Sequence, residues 1–422
     1  MTRLRRLPRV VLYAGRVVAA GGAERLLWEE ERYLTQRGCD VAVLCGEVTE
    51  AGLMGYKPAN LVLMPATHTR TGRLRILRDS LHDLKPDLTI AHSSRGAIML
   101  YLSQFPVQAP YIVHIHGTMF WFPEDNLKYS LLHRRAFDGI RQSVAGHREF
   151  IPSIRHLGPM SRVKIEAEAV VDYAAVRKAR AVVTLTGQLR WEIRQLYGRE
   201  SVVARGCLSP EAMAHVPARN IRTDLALTDR EVILSVGRLD VRKRIDVLIA
   251  AMPLILQHHP AAILLIGGTG EDEPRLSALV KRLHVESAVR FLGFIPETDL
   301  ADHYAAADVF AFPSWTTSGI TTYEALASGA KVVWTSEADE PILTDPHVFV
   351  ADPTPESFAT ATAHALESKV TGKPNLDLYT WKHYFDTVYE MAIVPNLPGL
   401  PGAEGHGQTH GRFVSGKAGT GV

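Results

Sequence analysis

Short apolar runs recur along this chain, and longer amphipathic stretches separate them. Val10 to Ala14, Asp40 to Cys45, Leu61 to Met64, Asp87 to His92, Tyr111 to His116, Ala181 to Thr186 and Ser201 to Arg205 are runs of that kind. Runs this short and this apolar predict strands buried on both faces of a parallel sheet. Between them lie helical periods. In the first, Leu26, Leu27, Tyr33 and Leu34 share a face and Gly38 marks the end. Residues 206–230 carry little periodicity and contain Pro210 and Pro217, which predicts a linker. A second alternating series follows, with strands at Val232 to Val236, Ala262 to Ile266, Val289 to Leu292, Ala307 to Phe312, Lys331 to Thr335 and Val348 to Val350. The fold class is therefore α/β, as two doubly wound lobes, 1–205 and 206–377. Thr380 to Ala392 reads as a last helix with its aromatic residues on one side. Residues 395–422 are rich in Gly and lack an apolar period, so a disordered tail is expected.

In open parallel sheets, ligands sit beyond the carboxyl ends of the strands. Candidate chemistry is therefore sought in those loops. Pro313 to Gly319 feeds a helix beginning near Ile320 and stopping at Gly329. Unpaired N–H groups of a Ser/Gly loop and the helix N-terminus make an anion site, so Ser318, Gly319 and Ile320 are candidate contacts. Glu324 lies one turn in, where a carboxylate can accept from two adjacent hydroxyls. Arg238 and Lys243 both follow the strand end at Val236, and two cations there suit a diphosphate leaving group. In the first series, Gly21 and Gly22 form the first turn and allow close backbone approach. His92 and His116 end two strands, and His116 is favoured because Gly117 leaves room beside its ring. The glycine fingerprint G-x-G-x-x-G is missing, which disfavours a nicotinamide cofactor.

The balance of charge narrows the partners. Among 422 residues, 46% are hydrophobic, 22% are charged and the formal net charge is +2. That gives no polyelectrolyte argument for nucleic acid. The three cysteines, Cys39, Cys45 and Cys207, show no C-x-x-C pairing, so neither a disulfide framework nor a zinc site is expected, and a reducing cytoplasm fits. No apolar run reaches the length of a membrane span. Arg3, Arg5, Arg6 and Arg9 precede an apolar run of only five residues, too short for a signal peptide core. Phe120, Trp121 and Phe122, followed by a basic stretch to Arg148, suit a sugar, a phosphate-bearing acceptor or the inner face of a membrane. His406 and His410 stand in the tail, where solvation is expected rather than metal binding.

In order and spacing, several of these pieces resemble the GT-B fold glycosyltransferases of family 4. They are Gly21 to Arg25, Lys85-Pro86-Asp87 through His92, His116-Gly117, Val236 to Leu239 with Lys243, Gly267 to Gly270, Phe291-Leu292-Gly293 and Tyr323 to Gly329. The resemblance covers residues 8 to 392. It implies a retaining transfer of a hexose-type sugar from a UDP- or GDP-sugar to an acceptor hydroxyl, of the kind used in polysaccharide synthesis. Lipid-linked and small-molecule acceptors are equally open. By resemblance, Arg238 and Lys243 contact the donor diphosphate and Glu324 holds the ribose. Gly21 and Gly22 sit near the phosphates, His116 lies beside the sugar, and the backbone around Ile295 meets the base. The helix at 378–394 crosses back onto the first lobe. No metal or other cofactor is implied. Two positions depart from the pattern. Thr316, counted among the donor contacts, stands where the first glutamate of the family's E-x7-E pair is usual, and Arg244 where glycine is common. The first departure raises two further readings, a non-catalytic nucleotide-sugar binding subunit and an epimerase of the same fold.

Overall fold

The computed structural model describes residues 6–18, 22–67, 69–104, 109–117, 130–133, 158–206, 208–209, 217–314 and 319–397. Gly21, Thr316, Ser318, Cys207, most of the basic aromatic region after Phe120 and the tail lie outside them.

Two parallel sheets form. The first orders its strands β3-β2-β1-β4-β5-β6-β7. These are Arg9–Ala14 (β1), Asp40–Cys45 (β2), Leu61–Leu63 (β3), Leu88–Ala91 (β4), Tyr111–Ile115 (β5), Ala181–Thr184 (β6) and Val202–Val203 (β7). The second orders them β10-β9-β8-β11-β12-β13. Its strands are Glu231–Val236 (β8), Ala262–Gly267 (β9), Val289–Gly293 (β10), Val309–Phe312 (β11), Lys331–Thr335 (β12) and Val348–Ala351 (β13). In each sheet the chain first winds outward and then returns to the other side of its starting strand. The switch points fall between β1 and β4 and between β8 and β11. A crevice opens at such a point because the two flanking connections leave in opposite directions.

Helices cover both faces of each sheet, since residues that alternate along a buried strand must find apolar partners on both sides. Val10, Leu12 and Ile90 pack with Leu26, Leu27 and Leu34 of the helix Gly22–Gln36. Val11, Tyr13 and Val113 pack on the opposite face with Leu77 and Leu100.

The chain crosses between lobes twice. Leu208 N–H donates to Tyr379 O at 2.9 Å, and Trp381 N–H donates to Leu208 O at 3.0 Å. The two crossings thus lie side by side. Gly206 is where they touch: a Cβ on it would stand 2.3 Å from Tyr384 Cβ. The expected linker is only partly a linker. Ile221 and Leu227 are buried, and Leu227 belongs to the core of the second lobe. The last helix also differs from the sequence reading. It runs as Trp381–Val388, then a π-turn at Tyr389–Ile393, then a 3-10 turn at Val394–Asn396. Trp381, Tyr384, Phe385, Val388 and Tyr389 join the core of the first lobe. The Tyr33 hydroxyl donates to Asp386 at 2.6 Å, and Arg37 pairs with the same carboxylate at 2.5 Å.

Candidate active site between the two lobes

Beyond β8 the chain turns through Gly237 and Arg238 into a 3-10 turn, Val241–Lys243. Asp240 caps that turn, accepting from Arg242 N–H at 3.0 Å, and also pairs with the Arg242 guanidinium at 2.8 Å. Lys243 is left facing other chemistry. Its ammonium lies 5.2 Å from the centre of the Phe312 ring at the end of β11. Burial lowers its pKa to about 8; Asp240 pulls it back up, while Arg242 and Arg238 push it further down. A half-buried lysine short of negative charge is an anion site in waiting. Arg238 is exposed and makes no ion pair among the described residues.

Arg244 follows with φ 50°, in the left-handed region. Glycine enters that region freely, which is the physical reason for a glycine at this point of the pattern. Here the arginine is fully buried, pairs with Glu337, and donates to Pro313 O at 3.4 Å. It thereby ties the Lys243 turn to the end of β11. The neighbouring loops are equally tight. Gly268 has φ 120°, and a Cβ there would lie 1.9 Å from Gly237 O.

The helix Ile320–Ala327 starts beyond β11, and its N-cap, Gly319, offers no side-chain hydrogen bond. A glycine there supplies no side-chain acceptor of its own to the first-turn amides. Glu324 lies on this helix and accepts from the Tyr304 hydroxyl at 3.2 Å. Burial raises its pKa to about 7; Tyr304 and Arg25 pull it down and Glu297 adds to the rise. Ile295 is buried and fits against Gly267, while Phe294 beside it is largely exposed.

The first lobe faces this edge with the start of its own first helix. A Cβ on Gly22 would stand 3.6 Å from Ile320 Cδ1. Arg25 pairs across the lobes with Glu297 at 2.5 Å. The two lobes thus meet helix start to helix start, beside Glu324. Next to this contact, at the β1/β4 switch point, lies a cleft of about 660 Å³. Tyr13, Met64 and Met99 line it, together with Arg16, Arg73 and Arg95.

His116 lies just past β5 and is not alone. β4 and β5 pair Ala91 with Val113, which sets His92 opposite His114. The three imidazole rings stand 5.3, 5.5 and 5.7 Å apart, centre to centre. Burial lowers the His116 pKa to about 3, and His92 adds to that. Glu30, fully buried, reaches His92 Nε2 at 2.9 Å and His114 Nε2 at 3.5 Å.

The fold thus assembles Arg238, Lys243, Gly319 and Ile320 on one edge, with Glu324 one turn further in and Gly22 opposite. Gly21, Thr316 and Ser318 lie outside the described residues. Sequence reasoning gave no role to Arg25, Tyr304, Glu337, Glu30 or His114. Arg25 stood only as the end of the Gly21 to Arg25 motif, and His114 as the alternate position before His116 on one strand.

Matches to known proteins bear on the family and the fold. A family model described as Glycosyltransferase Family 4 matches residues 20–206, and one described as Glycosyl transferases group 1 matches residues 230–368. An uncharacterized glycosyltransferase of Methanocaldococcus jannaschii is 30% identical over 234 residues, covering 53% of this chain and 57% of that protein. A D-inositol 3-phosphate glycosyltransferase of Kineococcus radiotolerans is 31% identical over 209 residues, covering 43% of this chain and 48% of its own. The chain therefore spans about half the length of these relatives. The crystal structure of Anabaena Alr3699/HepE in complex with UDP and glucose superimposes with a TM-score of 0.60 at 17% identity, covering 86% of this chain and 90% of that one. Two facing parallel-sheet lobes, with matches to both halves of the pattern, identify the chain as a member of the GT-B glycosyltransferases of family 4.

Proposed function

We propose that this protein is a retaining glycosyltransferase that moves a hexose-type sugar from a UDP- or GDP-sugar to an acceptor hydroxyl. The observation that carries the reading is the edge formed by Arg238, Lys243 and the open helix start at Gly319. Lys243, Arg238 and a helix start whose N-cap has no side chain lie on that edge, and Asp240, which pairs with Arg242, only partly offsets the cations. That is the charge a departing diphosphate needs. The family match and the relative whose structure holds UDP and glucose support it.

In the proposed step, the bond from the anomeric carbon to the diphosphate oxygen breaks, and its electron pair stays on that oxygen. The acceptor oxygen bonds to the same face of the carbon. The acceptor proton passes to the departing phosphate oxygen. Arg238 and Lys243 hold the diphosphate, so no divalent ion is required between the phosphates. Glu324, once ionised, accepts from the ribose diol. His116 lies beside the sugar, and the backbone at Ile295 meets the base. The acceptor enters through the cleft near Tyr13 and Arg95, where the arginines suit an acceptor bearing phosphate or carboxylate. No helix of the described residues is long and apolar enough to cross a membrane. A cytoplasmic location, with peripheral contact at the membrane, is part of the proposal.

A panel of UDP- and GDP-sugars, screened by thermal shift and then incubated with acceptors, tests it. The expected result is one donor that stabilises the protein and a product whose anomeric configuration, read by NMR coupling, matches the donor's. Donor binding without turnover across the panel favours the non-catalytic subunit. Sugar isomerisation without any acceptor favours the epimerase.

A further inference from the structure

We propose that His92, His114, His116 and Glu30 form a binding site for a single zinc ion in the first lobe. The three histidines each present a ring nitrogen, and these atoms all lie within 4.8 Å of one another. Nε2 of His116 makes no hydrogen bond among the described residues, and Nε2 of His92 and of His114 face only the Glu30 carboxylate, at 2.9 and 3.5 Å. Nothing but another histidine or this carboxylate answers them. Glu30 is the more telling residue. It is fully buried on the sheet-facing side of its helix, one turn from Leu26 and from Leu34, where an apolar side chain would serve the core. Burying a carboxylate there is costly unless a cation neutralises it.

The geometry suits zinc. A tetrahedral ion with bonds of about 2.0–2.1 Å has ligand–ligand edges of roughly 3.3–3.4 Å. The Glu30 oxygens already stand 2.9 Å from His92 Nε2 and 3.5 Å from His114 Nε2. Three imidazoles and a carboxylate are a nitrogen and oxygen set that zinc accepts. An outer contact is in place as well. His114 Nδ1 lies 3.1 Å from the Tyr384 hydroxyl, which can accept from Nδ1–H when Nε2 binds an ion. Tyr384 belongs to the last helix, so the ion would couple the sheet edge to the segment that returns from the second lobe. His116 would bind through Nε2 and keep Nδ1–H for the sugar contact proposed above.

The site does not depend on the glycosyl-transfer reading, because its test reads metal content rather than turnover. The full chain is purified without a metal-affinity step and assayed for bound zinc by mass spectrometry. The metal-free protein is then titrated with Co²⁺ and Zn²⁺. We expect about one zinc per chain, a visible d–d spectrum of tetrahedral cobalt, and a raised Tm with zinc. Glu30→Gln and His114→Gln should each abolish stoichiometric binding. Tyr384→Phe should weaken affinity by about tenfold to a hundredfold. Should a cluster variant fail to fold, Tyr384→Phe, outside the ligand set, carries the test. Zinc retained in every cluster variant places the ion elsewhere, for instance on His406 and His410, and overturns the proposal. So does a wild-type chain that binds neither metal, which leaves a shared proton between Glu30 and the imidazoles as the neutralising charge.

Discussion

At the scale of single residues, Lys243 and Arg244 show how adjacent cations do different work. Burial, with Arg242 and Arg238 nearby, lowers the Lys243 pKa to about 8 although Asp240 pulls it up. A diphosphate bound beside it would restore the ordinary value. The sign follows directly. Below pH 8 the free lysine is already protonated, so donor affinity is level on this account. Above pH 8 binding must take up a proton, so affinity falls by about tenfold per pH unit until the bound-state pKa is reached. Calorimetry at pH 9 in buffers of different ionisation enthalpy should show proton uptake on donor binding; no uptake contradicts the assignment. Arg244 instead serves the turn. Its φ of 50° suits glycine, and its guanidinium holds Glu337 and Pro313. Arg244→Gly and Arg244→Ala should both lose stability, because each strands Glu337. The alanine variant should lose about 1 kcal/mol more, for its left-handed backbone. Equal urea midpoints would contradict that.

At the scale of elements, periodicity carried the strands and helices because each is buried by its own local pattern. Val10–Ala14 and Lys331–Thr335 were legible for that reason, as were the loops at their ends. Contacts between elements were not. Nothing local announces that Arg25 meets Glu297, that Tyr304 holds Glu324, or that Glu30 faces three histidines from across a helix–sheet interface. The irregular close of the last helix was also hidden, since its aromatic residues keep a helical spacing through Tyr389. The loops after β8 and β9 depend on each other through Gly268. Gly268→Ala adds a methyl 1.9 Å from a backbone oxygen at φ 120°. It should lower Tm by several degrees and weaken donor binding together. Loss of neither would show that these loops have room to part.

At the scale of the whole molecule, the two lobes are joined by a pair of crossings pinned at Leu208 and Trp381, and they meet again at Gly22, Arg25 and Ile320. A hinge at one end and a weak, partly exposed ion pair at the other suit opening and closing around a ligand. The family resemblance foresaw two facing lobes, yet the residues that join them are dispersed along the chain and carry no shared motif. The central claim is that the cations of the second lobe grip the donor diphosphate. Isothermal titration of UDP and GDP into the wild-type protein, Arg238→Ala and Lys243→Ala at pH 7.5 tests it most directly. The account predicts that one nucleotide binds the wild type and that Lys243→Ala loses affinity by on the order of a hundredfold with its Tm preserved. Equal affinity in all three proteins would contradict it.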